Sequence, residues 1–313
     1  MWCDKMKSEE GINMKNMRIP LLIALGVAII GIIFGSFFDL QISTAIASPT
    51  HAFGLTVSAI GPTIGFCGVA IIAGGFIALA LKGQYHIGLK ILFFIMAGAC
   101  MFVSIYYPGG EYFGINGFYW VAPEWVGYLI PILPAIGSAI GGYFLFKDCK
   151  NKNMWIVFLI ICLILTLTLV PAIQILKGIA HRPRYRFLMD HDDVVFHNWW
   201  EPFKEYNDYI TAHPTIPHDH FKSYPSGHTA EASILIVPVT FLPLAHYKFK
   251  KAQMPLFIGS CCLILLVALA RILAAAHFLS DVSTGATIMI LLTVIANEVV
   301  MRIKPLQLEE QGQ

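Results

Sequence analysis

Charge is scarce in this chain. Asp, Glu, Lys and Arg make up 13% of its 313 residues, against about 25% in an ordinary soluble domain. Set beside 57% hydrophobic residues, the deficit excludes a typical soluble globule and points to a membrane protein. No basic stripe of the kind that binds nucleic acid is present. Cysteine is absent from the long polar stretch 178–228; Cys3, Cys67, Cys100, Cys149, Cys162, Cys261 and Cys262 lie in apolar runs, near their ends, or in the lysine-bearing tail and loop. That placement excludes a disulfide framework and a cysteine metal site, and leaves buried, inert thiols. Repeats and low-complexity linkers are missing too. The chain therefore reads as one membrane domain, 19–304, between short cytoplasmic tails at 1–18 and 305–313.

What it has in quantity is uncharged apolar sequence. Such runs fall at 19–38, 61–81, 89–107, 125–146, 154–176, 229–247, 254–271 and 280–301, each near the ~20 residues that cross a bilayer as helix. The expected fold is all-α, a polytopic membrane helix bundle of about eight transmembrane helices. Gly137, Gly141 and Gly142 in the fourth run predict close helix approach there.

The first and third connections contain no Lys or Arg, and that absence sets the orientation. Lys5, Lys7, Lys15 and Arg18 precede the first run, Lys82 and Lys90 flank the second connection, and Lys147, Lys150 and Lys152 occupy the fourth. Lys248, Lys250 and Lys251 fill the sixth, and Arg302 and Lys304 follow the last run. With eight spans, all of these share one side, which the positive-inside rule makes cytoplasmic. The loop 178–228 and the turn before the eighth run then face the other side. Met6, Met14 and Met17 leave the starting methionine open, and Ala45-Ile46-Ala47 imitates a signal cleavage site. The apolar run before it is longer than a 7–15-residue signal core, so retention is expected.

Three stretches concentrate ionisable groups on that far side: Lys177-x₆-Arg184, Pro225-Ser226-Gly227-His228 and Arg271-x₅-His277-x₃-Asp281. Ionisable groups beside membrane spans are costly and usually functional. If the fifth helix continues past Lys177, then Lys177 and Arg184 share a face with Arg182 flanking it, which suits an anion with several oxygens. Snorkelling at a helix end is the plainer reading. Ser226 is a good N-cap, and free N–H groups at that helix start form an anion site beside His228; an ordinary cap is the alternative. His277 and Asp281 are spaced i, i+4, so on a helix they touch. The carboxylate would fix the imidazole tautomer and free the other nitrogen to attack. A cap-region acid also explains Asp281, but neither Arg271 nor His277.

Together the motifs resemble the type 2 phosphatidic acid phosphatase superfamily, whose signature reads K-x₆-R-P, P-S-G-H and S-R-x₅-H-x₃-D. The resemblance covers 177–281, with Tyr185 for the family's proline, Ala270 for its serine and His181 where glycine is common. It implies that His277 forms a phosphohistidine, that Asp281 orients His277, and that His228 protonates the leaving oxygen. Lys177, Arg184, Arg271, Ser226 and the Gly227 N–H would hold the phosphoryl oxygens. It implies neither metal nor other cofactor. The family core has six spans with its first motif after the third; here it follows the fifth, which implies an added helix pair in the N-terminal half, spans three and four.

Residues 185–224 are rich in aromatics, among them Trp199 and Trp200. They read either as a lid or lateral wall for a lipid phosphate, or as a folded external loop. His213, His218 and His220 with Asp219 could ligate a metal, but their irregular spacing around Pro214 and Pro217 favours a solvated loop.

The expected activity is that of an integral membrane, metal-independent phosphatase acting on an amphiphilic phosphate in the lipid. Phosphatidic acid, phosphatidylglycerol phosphate and a polyprenyl diphosphate are candidates, hydrolysed at the extracytoplasmic face of a bacterial plasma membrane. A lipid phosphotransferase using the same site is the near alternative, and a polytopic transporter the alternative from another class.

Overall fold

The computed structural model describes residues 15–114, 124–148, 152–245 and 249–302. Lys5, Lys7, Lys150, Lys248 and Lys304, on which the orientation partly rests, lie outside the described residues, as do Cys3 and Cys149. Every regular element among the described residues is helical. The order is α1 (Lys15–Ile46), α2 (Ala52–Lys82), α3 (Ile87–Gly114), α4 (Glu124–Leu129), α5 (Ile132–Phe146), α6 (Lys152–Ala180), α7 (Tyr185–Leu188), α8 (Tyr206–Ala212), α9 (Gly227–Ala232), α10 (Ile236–Ala245), α11 (Lys250–Leu273) and α12 (Leu279–Arg302). Among the described residues, eight stretches are long and apolar enough to cross a membrane. The protein is an all-helical polytopic bundle.

The apolar runs and the helices differ in instructive places. α2 starts at Ala52, not near 61, because His51 caps it: the ring Nδ1 accepts from Gly54 N–H at 3.2 Å. Gly54 also lets α2 pass the end of α11, since a Cβ there would lie 2.9 Å from the Ala274 nitrogen. The run 125–146 is not one helix. It breaks between α4 and α5 at Pro131, a residue that cannot donate to the preceding turn. Of the three glycines expected to admit a neighbour, only Gly142 does so, with the Ile71 carbonyl of α2 where its Cβ would be; Gly137 and Gly141 face open space.

α2 is the buried centre, with Phe66, Ile72, Ala73, Phe76 and Leu79 wholly inside. α3 and α5 pack on it, α1 packs along α12, and α2 also meets α6, α9 and α11. α1 is the reverse of α2. Ile19, Ile23, Ile30, Ile33 and Phe37 are more than half exposed, an apolar face that lipid satisfies at no cost. Because successive spans alternate, the C-terminal ends of α6 and α11 and the N-terminal ends of α9 and α12 meet at one end of the bundle. There the loop 185–224 folds on a small core of Phe187, Val194, Phe203 and Phe221, so it is a packed external unit. Trp199 anchors it to α1, donating to Ser36 Oγ at 2.9 Å.

Candidate active site

The first motif does not lie on one helix face. α6 stops at Ala180, and His181 takes φ 43°, a left-handed conformation that glycine adopts freely and other residues rarely. Stacking of the His181 ring on Tyr206, 3.8 Å between centroids, accompanies the turn. The continued helix expected through Arg184 is thus replaced by an extended segment pinned to the loop: Arg184 N–H donates to the His220 carbonyl at 2.8 Å, and Ser223 N–H to the Arg182 carbonyl at 3.0 Å. The turn also separates the two arginines. Arg182 goes to Asp39 and Asp281, at 2.9 and 2.6 Å. Arg184 goes into a cavity.

That cavity brings the rest together. Lys177 from the end of α6, Arg184, Gly227 and His228 from the start of α9, Arg271 from the end of α11, and His277 all line it. Its volume is about 180 Å³, below the ~300–1,000 Å³ that encloses a drug-sized ligand. A phosphoryl headgroup fits inside; an acyl or prenyl chain does not.

His277 sits in the turn before α12, not within it, so it meets Asp281 as a loose i, i+4 pair from outside the helix and not along a helical face. Its Nδ1 lies 2.6 Å from the Ser223 carbonyl and 3.8 Å from Asp281 Oδ2. A carbonyl only accepts, so Nδ1 carries the proton and Nε2 is the nitrogen left to react. Burial, together with the neighbouring Arg271 and Arg184 charges, holds this imidazole well below its ordinary pKa, against the opposing pull of Asp281. Asp281 itself is held by Arg182, by Ser223 Oγ at 2.6 Å and by Phe278 N–H at 2.8 Å. It acts on His277 through charge and through Ser223, which both of them grip.

Ser226 departs from expectation as well. It precedes α9, but its side chain makes no cap bond. Its Oγ instead accepts from Thr229 Oγ1 at 3.2 Å, while its N–H donates to the Asp281 carbonyl at 3.0 Å. It is fully buried and absent from the cavity wall, so its role is to tie α9 to α12. Gly285 of α12 makes room for this, since a Cβ there would meet the Ser226 carbonyl. Gly227 does face the cavity. The place its Cβ would occupy lies 3.5 Å from Lys177 Nζ and 3.7 Å from Glu231 Oε1, and first-turn N–H groups have no acceptor within their own helix.

Sequence reasoning missed several groups. Arg186, Asp219, Glu231, Gln174 and Tyr107 also line the cavity. Asp219 Oδ1 lies 2.9 Å from Arg184 Nη2 and Oδ2 3.4 Å from Arg186 Nη2. Despite the desolvation that opposes it, the pull of Arg184, Arg186, Lys177 and Arg271 lowers the Asp219 carboxyl to about 2. The histidines once grouped with it go elsewhere: His218 Nδ1 pairs with Tyr206 Oη at 2.6 Å, and His213 Nδ1 lies 3.0 Å from the Tyr209 carbonyl. Among the described residues no cluster of three or more His, Cys, Asp or Glu could hold a metal. One signal for the network was available: Asp39 is a lone carboxylate at the edge of an apolar run. The sequence grouped Asp219 only with the loop histidines, and nothing local marks it as the partner of Arg184 and Arg186.

Residues 155–304 match the family model described as the PAP2 superfamily. The stretch spans α6 to α12 and contains all three motifs, whereas α1 to α5 lie outside it. No curated protein and no solved structure matches the chain.

Proposed function

We propose that this chain, which belongs to the PAP2 superfamily through residues 155–304, hydrolyses a lipid phosphate or polyprenyl diphosphate at the extracytoplasmic face through a phosphohistidine. The observation that carries the reading is the convergence of His277, His228, Lys177, Arg184 and Arg271 on one small cavity at one end of the bundle.

In this scheme the cations and the first N–H groups of α9 bind the phosphoryl oxygens and neutralise charge as it shifts during transfer. His277 Nε2 attacks phosphorus while the bond to the leaving oxygen breaks, and His228 gives that oxygen its proton. A water then attacks the phosphohistidine, His228 takes a proton from it, and phosphate leaves with both imidazoles restored. Asp281, Arg182 and Ser223 hold the His277 ring in place throughout.

Membrane geometry supports the substrate class. The cavity accepts only the headgroup, and the exposed apolar helix faces around it keep the chain in lipid. Lys82, Lys147, Lys250 and Arg302 cluster at the opposite helix ends, in keeping with an extracytoplasmic site under the positive-inside rule. The site lies at a membrane face, unlike the midplane sites of transporters.

The test is a panel of phosphatidic acid, phosphatidylglycerol phosphate and polyprenyl diphosphate presented in detergent to the purified protein, with His277→Ala as control and orthovanadate as inhibitor. Phosphate release that needs His277 and yields to vanadate supports the reading. Equal release by His277→Ala sinks it. Transfer of phosphate to an added acceptor in place of release would make the protein a phosphotransferase.

A further inference from the structure

We infer that Asp219 is a resident competitor for the phosphate cradle, and that it restricts the cradle to dianionic phosphoryl groups. The inference rests on the phosphatase reading for its substrate and on the geometry for everything else. Asp219 belongs to the short 3-10 turn His218–Phe221 of the external loop. Its two carboxylate oxygens engage two guanidinium groups, Arg184 at 2.9 Å and Arg186 at 3.4 Å. Arg184 Nε also grips its backbone carbonyl at 2.9 Å. An anion with two oxygens on neighbouring planar arginine forks is how a carboxylate or a phosphate is held. The charges of Lys177 and Arg271 also help to lower this carboxyl, so the field of all four cavity cations acts on a negative charge that the protein itself supplies.

The arrangement is built to release. The Asp219 side chain is 53% exposed, against 6% for that of Arg184. The carboxylate can swing out to water by side-chain rotation, whereas the arginine is packed in place. The backbone need not move, because 220 and 223 stay hydrogen-bonded to 184 and 182.

Displacement then depends on charge. A phosphomonoester carries about −1.5 to −2 at neutral pH and three terminal oxygens. A phosphodiester carries a single charge and two free oxygens, much like the carboxylate it would have to expel. The tethered carboxylate has the higher effective concentration, so a monoanion gains nothing by the exchange and a dianion does. The phosphodiester headgroups of the surrounding membrane are the anions nearest the site, and Asp219 keeps them out.

Full-length protein in micelles, titrated with inorganic phosphate by calorimetry with and without phosphatidylglycerol in the micelle, tests this. Wild type should bind phosphate with no competition from the diester. Asp219→Asn should bind phosphate roughly two- to five-fold more tightly, the range for a half-exposed ion pair, and phosphatidylglycerol should now compete. Unchanged or weaker phosphate binding by Asp219→Asn would mean that the carboxylate merely orders the arginines, and overturns the inference. So does equal competition by the diester in wild type, a comparison that does not depend on the variant folding, or absence of phosphate binding in both proteins. Phosphate release is measured on the same samples. If wild type releases none while the binding shift holds, the phosphatase reading fails and the assignment of Asp219 stands.

Discussion

Arg182 and Asp281 meet at 2.6 Å with side chains 1% and 0% exposed. The same guanidinium reaches Asp39 of α1 at 2.9 Å, donates to Ser280 Oγ and the His197 carbonyl, and lies 4.3 Å from the centre of the Phe278 ring. Asp39 in turn accepts from the N–H and hydroxyl of Ser280. One buried arginine thus joins the first helix, the turn that carries His277 and the last helix, and it holds in place the carboxylate that braces Ser223 beneath His277.

Removing that arginine should be severe. Arg182→Met leaves Asp39 and Asp281 buried without their countercharge, and breaking a buried pair costs about 3–5 kcal/mol. The melting temperature in detergent should fall well below that of wild type. A variant that melts at the wild-type temperature would dismiss the network.

His277→Ala should abolish the chemistry while sparing the fold. Loss of a nucleophile that works as part of a unit lowers kcat on the order of 10³-fold or more. Brief reaction with ³²P-labelled substrate should leave an acid-labile label on wild type and none on the variant. A label of equal size on both would assign the nucleophile elsewhere.

His228→Ala should depend on the leaving group. General acid catalysis contributes ~10²–10⁴-fold, so hydrolysis of an alkyl phosphate should drop by that factor. An aryl phosphate such as p-nitrophenyl phosphate leaves without a proton and should lose far less. Equal losses on the two substrates would count against His228 as the acid.

The acid limb of kcat/KM, once the substrate's own second ionisation at about pH 6 is divided out, should report His277. Its folded pKa is lowered by burial and by Arg271 and Arg184, so the reactive neutral ring persists below the ordinary value of about 6.5. Activity should therefore hold through that pH and fall only at lower values. The stability sign follows: an unfolded chain takes the proton more readily, so this contribution is complete above the unfolded pKa and declines as pH falls below it. An acid limb at or above the free imidazole value contradicts the burial of His277.

Gly285→Ala tests the junction of α9 and α12. The added methyl meets the Ser226 carbonyl, and overpacking typically costs about 1–3 kcal/mol. Because Ser226 precedes Gly227 and His228, kcat should fall along with the melting temperature. A fall in neither would show that the two helices can part without consequence.

Much of the fold could be read from the runs alone, since bilayer thickness sets helix length. Boundaries were less legible. The early start of α2 needed a histidine cap, and the break at Pro131 needed a proline in a run that spanning helices often tolerate. The site was legible as a set of residues and not as an arrangement. Lys177, Arg184, Gly227, His228, Arg271 and His277 share a cavity, while Ser226 and Asp281 stand behind its wall, and no spacing distinguishes the two groups.

Read alone, the order of residues established an all-helical membrane chain with eight apolar spans and a set of imidazoles, cations and one carboxylate in three motifs. Those properties depend on composition and on short spacings, which are local. Tertiary packing alone decided which arginine faces the cavity and which braces Asp281. It also decided that a backbone carbonyl holds His277, and that Asp219 lies across the cradle. Each of these is a contact between segments dozens of residues apart. Helix packing and the turn at His181 set the distance between them, and no periodicity along the chain records it.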